Sequence, residues 1–285
     1  METIIGLGKA GCNIAEKMSS YPQYKVLRID TDHRKGKGFK MIPRHSSHEE
    51  YEANCPSFGA FFRGLKGDCT LVVGGGGAIS GISLRLLQSL KKKCNQVSVL
   101  YIEPEIEVLS HKARLQERVV KGVLQEYARS GALERIYMVN NSAMSDILGD
   151  LPILEYHDKI NELLSSTLHM INVFKNESAI METLEEPVVT ARISTFGIVD
   201  ITSGEEKLFY PLKMPREKIY YYAISRDRLE SEKGLYKKIV GQLKDRIVDN
   251  EIRISYGIYP TEYQNDYVYS LVHATLVQCQ DFPLD

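Results

Sequence analysis

The chain has 285 residues, 43% of them hydrophobic and 26% charged, the profile of a globular protein with room for one large core or two modest ones. A formal net charge of −1 supplies no general attraction to nucleic acid or to an anionic membrane, so no direct nucleic-acid contact is expected. The N-terminus enters a strand directly, and nowhere do about 18 apolar residues run together, so neither secretion nor membrane insertion is expected. Cys12, Cys55, Cys69, Cys94 and Cys279 are scattered without C-x-x-C spacing, which implies reduced thiols in a cytoplasmic protein and no metal site.

Taken in chain order, strand-like runs near 2–6, 24–30, 69–74, 96–103 and 134–139 alternate with helical patterns up to about residue 175. Such alternation predicts a parallel sheet covered by helices on both faces, a Rossmann-like α/β architecture. The segment from about 32 to 48, rich in Lys, Arg, Gly and His, reads as a loop crossing the surface with a solvated charge run. Between Val108 and Gly131, Leu115, Val119, Val123 and Tyr127 recur every fourth residue and predict a buried helical stripe. Ile160, Leu163, Leu164, Thr167, Leu168 and Ile171 mark a long helix over about 155–175, central because apolar positions continue through Phe174. After Glu185-Glu186-Pro187 the pattern becomes strand-rich, with runs near 188–201, 206–210, 218–225 and 250–278. They surround one helix in which Tyr236, Ile239, Val240, Leu243 and Ile247 share a face. Two domains follow, 1–175 and a smaller mixed α/β unit at 176–285.

Two glycine-rich loops carry the chemistry. Gly6-Leu7-Gly8-Lys9-Ala10-Gly11 follows the first strand, and Gly74-Gly75-Gly76-Gly77-Ala78-Ile79-Ser80-Gly81 follows the strand near 69–74. Glycine allows positive φ and a close approach of backbone amides to an anion, and a helix N-terminus adds unpaired N–H groups with the positive end of its dipole. One such loop suggests a phosphate; two suggest a nucleotide held from both sides. Gly6, Gly8 and Gly11 with Asp30 also satisfy the dinucleotide fingerprint, which keeps an NAD-dependent oxidoreductase as an alternative. That fingerprint needs only one such turn, and no catalytic His or Lys is evident beside a substrate loop.

The ordered motifs resemble the tubulin/FtsZ superfamily of filament-forming GTPases. Gly6 to Asn13 is similar to its first nucleotide loop, Asp30-Thr31-Asp32 to its Asn-Thr-Asp, and Gly75 to Gly81 to its G-G-G-T-G-[ST]-G signature. Tyr101-Ile102-Glu103-Pro104 resembles the strand end before the sugar-binding loop, and Val139-Asn140-Asn141 the family's Pro-Asn-Asp. Asn161 matches the guanine-reading Asn of the central helix. The resemblance covers residues 4 to about 174. It implies GTP or GDP held with Mg²⁺ by Gly6, Gly8, Lys9, Ala10, Gly11, Asn13, Asp30, Asp32, Gly75, Gly76, Gly77, Ala78, Ile79, Ser80 and Gly81. Glu103, Arg114 and Asn140 are implied on the sugar side. It further implies head-to-tail self-association, in which Glu177 after the central helix completes hydrolysis on the next copy.

The departures point to weakened turnover. Ala78 and Ile79 replace Thr and Gly in the signature, removing a hydroxyl and stiffening the backbone. The loop after the central helix offers Glu177, with Glu182 further on, in place of paired carboxylates. Hydrolysis is therefore expected to be slow or absent, and a non-hydrolysing structural relative is a second alternative. The sequence ends soon after its last strand, so the long linker and adaptor-binding tail of a bacterial division protein are not expected, which favours a specialised or phage-type relative.

Overall fold

The computed structural model describes residues 2–247 and 252–279. Its first half runs β1 (Glu2–Leu7), α1 (Gly8–Met18), β2 (Tyr24–Asp30), β3 (Phe39–Met41), α2 (His48–Ala53), β4 (Cys69–Gly74), α3 (Ser83–Lys91), β5 (Val97–Glu103), α4 (His111–Arg129), β6 (Arg135–Asn140), α5 (Asn141–Leu148) and α6 (Tyr156–Asn176). There follow β7 (Met181–Glu182), β8 (Ile193–Val199), β9 (Glu206–Leu208), β10 (Pro215–Ser225), α7 (Arg226–Ser231), α8 (Leu235–Asp245), β11 (Arg253–Thr261) and β12 (Tyr267–Ala274).

Among the described residues the strands form one sheet in the order β3-β2-β1-β4-β5-β6-β8-β12-β10-β11-β7, with β9 on β8. The β3 to β6 portion is parallel throughout. Its strands are apolar on both faces, as Leu71, Val72 and Val73 show at 0% exposure, because helices cover both sides. Strand order reverses between β1 and β4, which share an edge while leading to opposite flanks. The crevice at the carboxyl ends of the strands at such a switch point is where this architecture accepts ligands.

Ile160, Leu164, Leu168, Ile171 and Phe174 of α6 join one core with Ile4 and Val72 from the first half and Phe196, Ile219 and Leu271 from the second. The helix is thus central, as its periodicity predicts. The proposed division at 175 falls at its C-terminal end, while the sheet itself continues through β6 and β8, paired at Ile136↔Ile193 and Tyr137↔Ser194.

Three sequence expectations need correction. Leu115 and Val119 are 50% and 64% exposed; α4 buries Glu117, Lys121, Leu124, Gln125 and Ala128 instead. The first half of the repeat, Leu115 and Val119, therefore lies on the outer face, where the sheet side of α4 carries a charged cluster described below, while Tyr127 packs against the core. The 32–48 segment is no plain surface loop: it forms β3 on the edge of β2, and α2 begins at His48. On α8, Ile239 and Leu243 are buried as expected, but the third inward residue is Leu235, with Tyr236 and Ile247 exposed.

Candidate nucleotide site

The two glycine loops meet at the switch point. Gly8, at φ +69°, opens α1, and a Cβ built on it would lie 2.8 Å from Ile79 Cγ2; one on Gly74 would lie 3.4 Å from Ala10 Cβ. Among the described residues no side chain caps the N-terminus of α1 and no acid lies in its first turn, so its leading N–H groups and dipole face the junction. Lys9 and Ala10 are exposed there.

The glycines divide by role. A Cβ on Gly6 would stand 2.4 Å from Gly11 O, one on Gly11 2.3 Å from Val72 O, and one on Gly81 2.5 Å from His48 O. Gly75 is seated against β5, where a Cβ would fall 1.9 Å from the Tyr101 hydroxyl. These four let backbones and side chains pack. Gly76 and Gly77 are different: both are exposed, and the nearest atoms to an added Cβ are at 3.4 Å and 3.8 Å. A Cβ at either would make only ordinary van der Waals contacts, so packing alone does not require glycine there. Ser80 is buried and its hydroxyl donates to Gly77 O at 2.8 Å. Cys12 is a packing residue whose Sγ donates toward Ile29 O, and burial raises its thiol to about 12, keeping it protonated.

Beside the first loop, Arg34 binds three elements together. Its Nε donates to Asp30 Oδ2 at 3.1 Å, its Nη1 to Asn13 Oδ1 at 2.8 Å, and its Nη2 to Lys9 O at 3.3 Å. Asp30 also accepts from the Thr31 N–H, and exposed Asp32 pairs with Arg44 at 2.6 Å.

Behind the second loop lies a buried ionic cluster. Lys121 Nζ sits 2.6 Å from Glu103 Oε1 and 3.8 Å from Glu117 Oε1, and Tyr101 donates to Glu117 at 2.9 Å. Burial raises the Glu117 carboxyl, with Lys121 opposing, and burial also pushes the Tyr101 hydroxyl well up. Asn140 donates to Glu103 at 2.5 Å and accepts from the Ala143 N–H at 3.0 Å, capping α5. Glu103 and Asn140 therefore lock strand ends to helices. Arg114 is exposed and donates to the Leu109 and Glu107 carbonyls, folding the turn after β5.

Tyr156, at the start of α6, donates to Glu105 at 2.5 Å, which anchors that end of the helix at the loop after β5. Asn161 is half-buried on the same end, and its amide has no hydrogen-bond partner among the described residues. Glu177 caps the far end of α6 and is exposed. It borders a separate cleft of about 930 Å³ whose walls include Glu2, Asp68, Asn172 and His273, at the amino ends of the parallel strands.

The fold comparisons are consistent with one another. A GDP-form protofilament of TubZ from Bacillus thuringiensis serovar israelensis matches with TM-score 0.74 at 15% identity, over 97% of this chain and 86% of that one. An empty FtsZ dimer from M. jannaschii gives 0.66 at 13%, over 96% and 88%. GTPγS-bound CetZ2 from Haloferax volcanii gives 0.65 at 16%, over 95% and 92%. The chain has the tubulin/FtsZ fold. Neither the family models nor the curated proteins give a match, so the likeness lies in the tertiary structure. On this tubulin/FtsZ frame the sequence reading missed Arg34, His48, Glu117 and Lys121. Signals existed: Asp30 and Arg34 stand four apart, as do Glu117 and Lys121. Ser47-His48-Glu49-Glu50 is a helix-start pattern, and Ser47 accepts from the Glu50 N–H.

Proposed function

We propose that the chain binds a guanine nucleotide between its two glycine loops and self-associates head to tail into filaments. The observation carrying this reading is the meeting of both loops at the β1/β4 switch point beside the uncapped N-terminus of α1. The solved relatives, described as protofilaments and filaments, support the second half.

In this reading the amides of Gly8 to Gly11 and of Gly76 to Ile79 hold phosphates, with Lys9 adding a cation. Asn161 reads the guanine edge, since an amide both donates and accepts. Asn13, Asp30, Glu103, Asn140 and Arg114 set the walls through the internal bonds described above. Among the described residues no three His, Cys, Asp or Glu side chains converge on a metal position. Asp30 and Asp32 are paired with Arg34 and Arg44. Mg²⁺ would then be held chiefly by phosphate oxygens and water, in keeping with its reluctance to dehydrate.

Glu177 stands 21 helical residues from the start of α6, a span of about 30 Å, so it reaches phosphates only on a neighbouring copy. Exposed apolar pairs flank both ends of the same helix: Ile153 and Leu154 at 91% and 97%, Ile180 and Met181 at 58% and 46%. A repeat along α6 brings one pair toward the other, and such heterologous contacts generate open filaments. The oxidoreductase alternative is disfavoured because the Asp30 carboxylate it needs for a ribose is taken by Arg34 and the Thr31 amide.

Calorimetry should show GTP or GDP binding in preference to ATP and NAD, with Asn161→Ala weakening it by about 1–3 kcal/mol. Tight NAD binding without guanine nucleotide binding overturns the reading. Electron microscopy with GTP should show filaments, and phosphate release should rise more than linearly with protein concentration. Filaments without phosphate release decide for the non-hydrolysing alternative, which the Ala78-Ile79 replacement favours.

A further inference from the structure

His48 opens α2 and lies against the second half of the second glycine loop, from Gly77 to Gly81. Its Nε2 is 3.2 Å from Gly77 O and 3.0 Å from Ser80 Oγ. Its backbone fills the space beside Gly81, where an added Cβ would stand 2.5 Å from His48 O and 2.7 Å from His48 Cα. The loop from Gly77 to Gly81 is thus wrapped on one residue.

The Gly77 carbonyl is the focus of these bonds. It accepts from the Ser80 hydroxyl at 2.8 Å and from the Ser80 N–H at 3.0 Å. With the Ser80 hydroxyl proton on Gly77 O, the Nε2-protonated tautomer of His48 can share its one N–H between Ser80 Oγ and Gly77 O. In that tautomer His48 supports the two Ser80 donors that hold this carbonyl. In a trans peptide the C=O of one residue and the N–H of the next point in opposite directions. Fixing the Gly77 carbonyl toward α2 therefore directs the Ala78 N–H away from α2. Ala78 opens the 3-10 turn Ala78–Ile82, so that N–H has no partner inside the turn. Gly76 and Gly77, which precede it, are exposed and carry no side chain that would screen it.

We propose that His48 is a positioning residue that holds the Gly77–Ala78 peptide with its N–H presented to a phosphate group, a role resting on the nucleotide reading above. The loop has lost the signature hydroxyl at Ala78, and His48 stabilises the backbone orientation that remains available for phosphate.

The test compares GDP with guanosine, which lacks phosphate, by NMR titration of wild type, His48→Ala and His48→Gln, with thermal melting of each. His48→Ala should bind GDP about tenfold more weakly, the effect of one lost hydrogen bond, with guanosine affinity unchanged. His48→Gln, whose amide can donate to Gly77 O, should recover most of that loss. If His48→Ala does not fold, His48→Asn, too short to reach Gly77, replaces it in the same comparison. Equal loss toward GDP and guanosine, wild-type GDP affinity in His48→Ala, or no recovery in His48→Gln overturns this role alone. Wild type that binds neither GDP nor GTP overturns the nucleotide reading and this role with it.

Discussion

Replacing Lys121 with Met removes an ammonium from the buried cluster behind the second loop while keeping an aliphatic stem of similar length. Lys121, Glu103 and Glu117 have side chains 4%, 3% and 2% exposed, so water cannot substitute for the ammonium. Breaking a buried ion pair by removing one partner costs about 3–5 kcal/mol, because a buried charge loses a counter-ion that water cannot replace. The cost should depend on pH. Burial already raises the Glu117 carboxyl above its ordinary value of 4.5, and Lys121 opposes that rise. Without Lys121 the folded-state value climbs further. Between the unfolded value and the raised folded value, the folded state holds a proton that the unfolded state lacks. Stability therefore falls as pH rises through that window and is retained below it. Urea unfolding should show Lys121→Met about 3–5 kcal/mol less stable than wild type near pH 7.5 and distinctly closer to it near pH 5. Adding Glu117→Gln should return much of the loss at the higher pH. A loss below about 1 kcal/mol at pH 7.5, or one that does not change with pH, would refute the reasoning.

Neighbouring glycines should respond oppositely. Gly75→Ala would place a Cβ 1.9 Å from the Tyr101 hydroxyl and should destabilise the fold by about 1–3 kcal/mol, read from denaturant midpoints. Gly76→Val should leave the melting temperature nearly unchanged yet abolish nucleotide binding, and unaltered affinity would make that glycine irrelevant to the ligand. Leu115→Gln and Val119→Gln, on the outer face of α4, should each shift stability by less than about 0.5 kcal/mol. A loss typical of core truncation at either position would show that α4 is rotated relative to this structure.

The sequence alone determined the parallel α/β alternation, the central helix and the two glycine loops, because each is a local pattern: buried strands are apolar, a helix core face repeats with its turn, and a tight approach demands glycine. It also placed Glu177 just beyond α6. What the glycines do was decided only by packing. A Cβ on Gly6, Gly11, Gly75 or Gly81 would clash with Gly11 O, Val72 O, Tyr101 or His48, while one on Gly76 or Gly77 would make only ordinary contacts, and no spacing rule separates the two groups. The outward turn of Leu115 and Val119 was hidden for a related reason. Periodicity shows that residues share a helix face, but not which face meets the sheet, and here Glu103 projects from β5 to pair with Lys121. Arg34 and His48 sit in a charged segment that reads as solvated, yet they are bonded to Asn13 and Gly77, residues 21 and 29 positions away. Contacts at that separation follow from strand order, which brings the ends of β1, β2 and β4 together, and strand order belongs to the tertiary structure.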